Sequence, residues 1–271
     1  MDIDPKFYKS NYLDIREYND EELKDHFVKF GFWEGRIGSQ EMLNHRININ
    51  KKIVEKRNKI LDNYEYKKND ECFINILIRT SKRPNAFKIN IDSIANQNYK
   101  KYKLLISYDN EETFEYIKNI LKSYDFDYEI FEVSKTDEYY SYNDYCNTLL
   151  NNVKDGYVIF LDDDDKLLHN NALKYINEFM IEDRFLVWEY QRADKIIGPK
   201  KGDIKKGNIT SCGFCYHSKF KSFWPSKIGS DYEFVKNLVN NNPLKLAKIN
   251  KVLTSAIIFK RIYGEGKCLD I

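Results

Sequence analysis

The sequence lacks the features of disulfide-stapled, membrane-spanning and strongly charged proteins. Its five cysteines are an odd number without regular spacing, which argues against a disulfide framework. Its apolar runs all fall well short of the ~20 residues needed to cross a bilayer. The 44 Lys and Arg residues nearly cancel the 42 Asp and Glu residues. No overall field therefore points to nucleic acid or to a membrane surface as the partner.

The amino-terminal stretch also lacks the signals of an exported chain. MDIDPKFYKSNY contains neither a basic segment nor an apolar segment, so it does not read as a signal peptide. We therefore expect a soluble, cytoplasmic protein without a transmembrane segment. Cys212 and Cys215 have the spacing of metal ligands, but a structural zinc site usually needs a second pair. We expect these two cysteines to lie buried in the core.

The sequence does have enough apolar and aromatic residues for a large core. Of its 271 residues, 42% are hydrophobic, and they include 17 Phe and 21 Tyr. The pattern changes twice along the chain, which predicts a helical unit at 1–40, a connector helix at 41–70 and a larger domain at 71–271. The connector has an interrupted apolar stripe that we expect to pack on the larger domain: Ile47, Ile53, Val54, Ile60 and Leu61.

The first helical unit has a recognisable start signal. Asn19 and Glu22 have the spacing of a capping box at the beginning of a helix. Leu23, Phe27 and Phe30 follow at helical spacing, which predicts that they share the buried face.

From Cys72 onward, short apolar runs alternate with segments of helical periodicity. The predicted strands are CFINILI, YKLLISY, YEIFEV, YVIFL and FLVWEYQ. This alternation predicts an α/β fold with a mostly parallel central sheet and helices on both faces. In such folds ligands bind in the crevice outside the carboxyl ends of the strands. The polar residues that follow the strands are expected to meet there.

Four consecutive aspartates, Asp162 to Asp165, follow the predicted strand YVIFL. A solvated acidic loop is the plain explanation. Their place at the end of a buried strand instead favours a partial oxygen shell for Mg²⁺ or Mn²⁺. Such ions are typically held by one or two carboxylates together with water and substrate phosphates.

These residues give the chain a resemblance to GT-A glycosyltransferases, especially family 2, in which a hydrophobic strand is followed by L-D-x-D-D. Three further stretches resemble the family in the same order: INILIRTSKRPNAFKINIDSIANQNYKKYKLLISYDN, NDYCNTLLNNVKDGYVIFLD and IGSDYEFVKNLV. The resemblance spans residues 72–259. It implies the GT-A (nucleotide-diphospho-sugar transferase) fold and a metal-dependent enzyme with Mn²⁺ or Mg²⁺ as cofactor. The implied reaction moves a sugar from a UDP-sugar to a hydroxyl of a glycan or protein, with inversion.

The resemblance also implies a role for individual residues. Asp164 would ligate the metal, and Asp231 would be the catalytic base. The other implied contacts are to the nucleotide sugar, with Asp109 on the uracil ring: Thr80, Arg83, Asp109, Asn147, Asp162, Asp163 and Asp165. An alternative for Asp231 is that it only caps a helix. Trp224 is a candidate stacking surface for the acceptor sugar, because aromatic rings offer apolar faces to sugars.

The chain departs from the family pattern in two places. The second strand ends in Tyr108-Asp109-Asn110 instead of Asp-Asp-Gly-Ser, which weakens the prediction of uracil. The late histidine of the family is replaced by other residues, which could offer a cation to the diphosphate: Lys260, Arg261 and Tyr263. The basic segment Lys195 to Asn208 is predicted to be a solvated hairpin, with a flap over the diphosphate as the alternative.

The sequence leaves three other functions open. A nucleotidyltransferase would require a glycine-rich basic loop after the first strand, and RTSKRPN has no glycine. A non-catalytic nucleotide-sugar or carbohydrate-binding module, or a structural interaction protein, would not need the catalytic base. The amino-terminal stretch from Phe7 to Arg36 resembles a short helical motif often attached to glycosyltransferases, and packing or partner binding is its expected role.

Overall fold

A computed structural model describes residues 3–33, 36–65, 71–134, 142–192, 195–199, 203–227 and 229–256. Within these residues, nine strands form one sheet. The strands are β1 (Ile74–Arg79), β2 (Tyr102–Tyr108), β3 (Tyr128–Glu132), β4 (Tyr157–Phe160), β5 (Lys166–Leu167), β6 (Arg184–Arg192), β7 (Lys195–Ile197), β8 (Phe214–His217) and β9 (Lys245–Ala256).

The sheet has a parallel half and a mixed half, in the order β3-β2-β1-β4-β8-β6-β9-β5, with β7 on β6. Strands β3, β2, β1 and β4 run parallel to one another. Strand β8 is antiparallel to both β4 and β6, and β6 is parallel to β9. The parallel half brings the carboxyl ends of β1, β2 and β4 to one edge, where the sequence predicts the site.

The described residues include eight α-helices. They are α1 (Pro5–Asn11), α2 (Asp20–His26), α3 (Gln40–Asn58), α4 (Pro84–Ala95), α5 (Glu111–Leu121), α6 (Tyr142–Asn152), α7 (Ala172–Asn177) and α8 (Ser230–Asn241). Helices α4, α5 and α7 share one hydrophobic cluster with one face of the sheet, and α6 and α8 share a second cluster with the other face. Successive residues of β1 lie on opposite faces of the sheet, so Ile76 and Ile78 belong to the first cluster and Leu77 belongs to the second. The α/β fold with helices on both faces is therefore confirmed.

A glycine sets the start of the strand that carries the aspartates. Gly156 precedes β4 with φ of 89°, a conformation that favours glycine. A Cβ atom there would lie 2.7 Å from the backbone oxygen of Phe73. That oxygen accepts the N–H of Tyr157 at 2.8 Å, so the close approach allows β4 to align with β1.

The amino-terminal unit has a small aromatic core of its own, formed by Tyr8, Tyr12, Ile15, Leu23 and Phe27. The predicted capping box at the start of α2 is confirmed, since both of its hydrogen bonds are present. Leu23 and Phe27 are buried as expected, but Phe30 is exposed. The helix widens into a π-helical turn at Phe27–Gly31, which changes the spacing of its faces.

The connector is a helix that packs on the larger domain partly through polar side chains, whereas the sequence predicted an apolar stripe. Asn58, at the end of α3, donates to the carbonyl of Val252 at 2.6 Å and accepts the N–H of the same residue at 3.3 Å. Arg57 pairs with Glu189 of β6. Of the predicted apolar stripe, Val54 and Leu61 are buried, whereas Ile47 and Ile60 are exposed. Packing on the larger domain is confirmed, but two asparagines, Asn50 and Asn58, complete the buried face.

Cys212 and Cys215 are both buried, as predicted. Burial raises the pKa of both thiols. Among the described residues, no group of three His, Cys, Asp or Glu side chains has the arrangement of a metal cage. No helix within the described ranges is long and apolar enough to cross a membrane.

Candidate active site

The aspartates meet an arginine from the neighbouring strand. Arg79 ends β1, which lies beside β4 in parallel register. Its Nε donates to Oδ1 of Asp162 at 2.7 Å, and its Nη2 donates to Oδ2 of the same carboxylate. Ser211 Oγ also donates to that Oδ2, at 3.2 Å. Burial alone would lower the pKa of Arg79, but the charge and hydrogen bonds of Asp162, together with the nearby Cys146 and Asp231, raise that pKa well above its usual value.

A second arginine lies over the middle of the aspartate run. Arg83 pairs with Asp163 through Nη2 and with Asp164 through Nη1, whose distance to Oδ2 is 3.3 Å. Thr80 Oγ1 donates to Oδ2 of Asp163 at 2.7 Å and contacts the hydroxyl of Tyr116. In this structure Thr80 and Arg83 thus contact the aspartates. Their predicted contact with the nucleotide stays a prediction.

The backbone of the aspartate run is held by a buried asparagine of α4. Asn90 Nδ2 donates to the carbonyls of Leu161, Asp162 and Asp165 at 3.2, 2.8 and 3.0 Å. Oδ2 of Asp165 in turn accepts the N–H of Asp162 at 3.1 Å. Asp165 therefore closes the turn on itself. Sequence reasoning missed Asn90, although a polar residue next to Ile91 on the buried face of a helix was a usable signal.

Among the described residues, two guanidinium groups pair with three of the four carboxyl groups. Burial, followed by the charges of Asp164 and Asp162, raises the pKa of Asp165. Burial also raises the pKa of Asp163, and Asp164 adds to the shift although Arg83 opposes it. Asp164 is the most exposed of the four. Four carboxyl groups against two arginines, within the part of the chain that the structure describes, suit a divalent cation held by one carboxylate and by substrate phosphates.

Asp109 lies after β2, at the same edge of the sheet as Arg79. Asn110 Nδ2 donates to Oδ1 of Asp109 at 2.6 Å, and its own Oδ1 caps α5 at Thr113. The hydroxyl of Tyr145, on α6, lies within interaction range of Asp109. Burial and then Asp109 raise the pKa of Tyr145. The carboxylate of Asp109 is therefore approached from two sides, and Tyr145 is a site residue that sequence reasoning missed.

Asp231 is the second residue of α8 and lies within electrostatic range of Arg79 and Cys146. It is not the capping residue, because Gly229 occupies the N-cap position with φ of 75°. Its carboxylate still benefits from the positive end of the helix dipole. The placement brings Asp231 to the same crevice as the aspartate run.

Asn147 and Trp224 lie together but away from the surface of the crevice. The side-chain amide of Asn147 is hydrogen-bonded to the backbone of Trp224 in both directions. The Trp224 ring is only 2% exposed and stacks on Phe234, with ring centres 4.7 Å apart. The structure does not present this ring as a wall for an acceptor, because it fills the core beside α8. The neighbouring Phe223 is 61% exposed.

Two predicted features lie at the edges of the described structure. Lys260, Arg261 and Tyr263 are outside the described residues. In the basic segment, Lys195–Ile197 form β7, which pairs antiparallel with β6, a strand that precedes the segment. A hairpin within 195–208 stays a prediction. The same segment reaches the start of α8, where a Cβ atom on Gly229 would lie 3.3 Å from Cε of Lys206.

A sequence-family comparison decides which family the chain belongs to. The family "Glycosyl transferase family 2" matches residues 76–226, more than half of the chain. The chain belongs to glycosyl transferase family 2. This assignment favours a glycosyltransferase over a nucleotidyltransferase. No curated protein matches the chain.

Solved structures support the GT-A fold of this family 2 protein. S. aureus TarS, residues 1–349, superimposes with a TM-score of 0.57 at 13% identity, over 68% of this chain and 60% of that one. The same protein in complex with UDP-GlcNAc gives a TM-score of 0.54 at 14% identity, over 72% and 60%. The mannosyltransferase PcManGT from Pyrobaculum calidifontis, in complex with GDP-Man and Mn²⁺, gives 0.55 at 11% identity, over 78% and 65%. The aligned part of this chain thus spans about 60% of the length of the TarS fragment.

Proposed function

We propose that this glycosyltransferase uses a UDP-sugar as donor and depends on Mn²⁺ or Mg²⁺ held through Asp164. The observation that carries the proposal is the buried aspartate run at the end of β4, where the described residues place two arginines against four carboxyl groups. Two structural neighbours support it by analogy, since one is in complex with UDP-GlcNAc and another with GDP-Man and Mn²⁺.

The donor side of the crevice would be formed by the loops after β1, β2 and β4. Asp109 is proposed to accept the N–H of the uracil ring, and the interactions with Asn110 and Tyr145 orient it for that contact. Asp162 and Asp163 are proposed to face the ribose and sugar. Thr80, Arg83, Asn147 and Asp165 are proposed to complete this side, Asn147 and Asp165 through the backbone segments that they hold.

The proposed reaction is a single displacement at the anomeric carbon. The bond from that carbon to the diphosphate oxygen breaks as the acceptor oxygen attacks from the opposite face, which inverts the configuration. A divalent ion bound at Asp164 would supply positive charge to the leaving diphosphate. Asp231 would accept the proton of the attacking hydroxyl, on a glycan or protein acceptor.

The test is a panel of nucleotide sugars, each assayed for transfer or hydrolysis with and without Mn²⁺. We expect turnover with one UDP-sugar, and we expect EDTA to abolish it. Turnover with a GDP-sugar alone would overturn the role of Asp109, and turnover that persists in EDTA would overturn the metal.

Asp231→Asn separates the base from the rest of the site. Loss of a positioned general base is expected to lower kcat by about 10²–10⁴-fold, while UDP with Mn²⁺ still binds. Isothermal titration calorimetry and initial rates measure the two quantities. Full activity in this variant would show that Asp231 is not the base.

We also propose that 1–40, 41–70 and 71–271 are the helical unit, connector and catalytic domain. The separate aromatic core of the first unit and the docking of α3 on β9 support this division.

A further inference from the structure

We propose that two asparagines of α6, Asn143 and Asn147, form a clamp that positions the proposed base Asp231. The proposal rests on the role given to Asp231 above. It makes the asparagines positioning residues, since they act through the segment that leads into α8.

Asn147 holds the beginning of that segment. Its Nδ2 donates to the carbonyl of Trp224 at 3.0 Å, and its Oδ1 accepts the N–H of Trp224 at 2.8 Å. Both polar atoms of the amide are used on one residue, so the backbone there is fixed in direction as well as in distance. An apolar side chain in place of Asn147 would leave both backbone groups without these partners.

Asn143 holds the end of the segment. It lies one helical turn before Asn147, and therefore on the same face of α6. Its buried amide donates to the carbonyl of Pro225 and accepts from Ser230 Oγ at 3.2 Å. Ser230 is the first residue of α8, and Asp231 is the next. Together the two asparagines contact the backbone or side chains on both sides of the bend into α8.

The clamp is anchored to the sheet. Helix α6 packs against β1 and β2, the strands that end in Arg79 and in Tyr108. Cys146 and Leu149 of α6 are buried in the hydrophobic cluster that also contains Phe234 of α8. The Trp224 ring stacks on Phe234 of α8, which is a second contact between this segment and the helix. The path from the sheet to Asp231 is therefore made of buried contacts.

The start of α8 needs such support. Gly229, at the N-cap position, has no side chain to bond the first turn. Its left-handed backbone sets the direction of the bend, and the bond from Ser230 to Asn143 connects the bend to α6. A general base that is misplaced by about 1 Å can cost roughly 100-fold in rate.

The experiment compares Asn143→Ala and Asn147→Ala with a matched control, Asn152→Ala. Asn152 is an exposed asparagine of the same helix that bonds the carbonyl of Thr148 within α6. We expect each clamp variant to lower kcat about 100-fold. Asn143→Ala, which has no proposed role in donor binding, is expected to keep the Kd for UDP and Mn²⁺ within threefold of wild type. The control is expected to leave both quantities unchanged.

A double variant tests whether the effect passes through Asp231. Residues that act as a unit in catalysis are strongly non-additive. In the Asp231→Asn background, we therefore expect Asn147→Ala to lower kcat by no more than threefold. A general loss of structure would instead multiply the two effects.

Three results would overturn the clamp: kcat within threefold of wild type in both alanine variants, a parallel loss of UDP affinity in Asn143→Ala, or multiplicative effects in the double variant. Failure of the proposed function gives a different pattern, in which wild-type protein has no turnover or Asp231→Asn keeps it. In that case amide hydrogen exchange tests the clamp, because it requires no enzymatic activity. Exchange at residues 229–231 should be faster in Asn147→Ala and unchanged in Asn152→Ala, and equal rates would refute the clamp.

Discussion

At the scale of single residues, the four consecutive aspartates are chemically different groups. Asp162 is held by Arg79, and Asp163 by Arg83 and Thr80. Asp165 bonds the backbone of its own turn. Asp164 pairs with Nη1 of Arg83 and, at 7% exposure, is the least buried of the four, which makes it the proposed metal ligand. A run that looks uniform in sequence is therefore divided into different tasks by what each carboxylate contacts.

Asp164→Asn is predicted to remove metal-dependent nucleotide binding without unfolding the protein. The substitution keeps the size of the side chain but removes the charge that a hard cation prefers. We expect the affinity for UDP in the presence of Mn²⁺ to fall at least 100-fold by calorimetry, with the circular dichroism spectrum unchanged. Asp125→Asn, at an exposed position, is the control. Wild-type affinity in Asp164→Asn would place the metal elsewhere.

The sequence predicted the residues at the edge of the sheet better than it predicted their partners. Apolar runs identified β1, β2 and β4, so the residues that follow them could be placed together. Whether Thr80 points at a nucleotide or at Asp163 depends on a contact between positions 83 residues apart. Local pattern does not encode such contacts. The same limit explains Trp224, whose burial depends on its stacking with Phe234 of α8.

At the scale of elements, the parallel half of the sheet was predictable and the connector was only partly so. Strands buried on both faces read as continuous apolar runs, which the sequence shows directly. The connector α3 instead has Asn50 and Asn58 on its buried face. A hydrophobicity pattern predicts that asparagines are exposed, so it does not identify this face. Their burial is compatible with folding because the amide of Asn58 is hydrogen-bonded to Val252 in both directions.

Asn58→Ala is predicted to destabilise the protein. Asn58 is 4% exposed, and its loss leaves the backbone N–H and carbonyl of Val252 without these partners. Orphaned buried polar groups cost about 1–3 kcal/mol, and we expect a loss of that size in urea unfolding. The control is Ile60→Ala, at a side chain 58% exposed, which should change stability by less than about 0.5 kcal/mol. Equal effects of the two variants would contradict the docking role.

The turn before β4 provides a second prediction at this scale, with a matched pair of glycines. Gly156 and Gly207 have nearly equal positive φ angles of 89° and 90°. A Cβ atom at Gly156 would lie 2.7 Å from the oxygen of Phe73, whereas at Gly207 it would meet nothing within 4 Å. Gly207→Ala should therefore cost only the backbone term, about 1–2 kcal/mol. Gly156→Ala should cost about 1–3 kcal/mol more, as overpacking does, and equal unfolding midpoints would refute the clash.

At the scale of the whole molecule, the site lies where independently supported parts meet. The loops after β1, β2 and β4 come from the parallel half of the sheet, and Ser211 comes from the short turn that precedes β8. Asp231 comes from α8, on the opposite face to α4. Binding of one ligand to groups from all these elements should therefore stabilise the whole domain.

Thermal unfolding in the presence of UDP and Mn²⁺ tests this expectation. A ligand at 100 times its Kd adds about 2.7 kcal/mol to the free energy of unfolding. For a protein of this size, we expect Tm to rise by roughly 5–10 °C. Mn²⁺ alone or UDP with EDTA should give a much smaller shift. An unchanged Tm with both ligands at saturating concentration would contradict binding at this site.

The three carbonyl contacts of Asn90 have a consequence for the speed of recognition. These hydrogen bonds come from a buried side chain of the protein itself, so the aspartate turn is ordered before any ligand binds. A turn that is already ordered has little chain entropy left to lose when a partner arrives. Association should then follow a single exponential phase whose rate rises linearly with ligand concentration, limited by diffusion and dehydration.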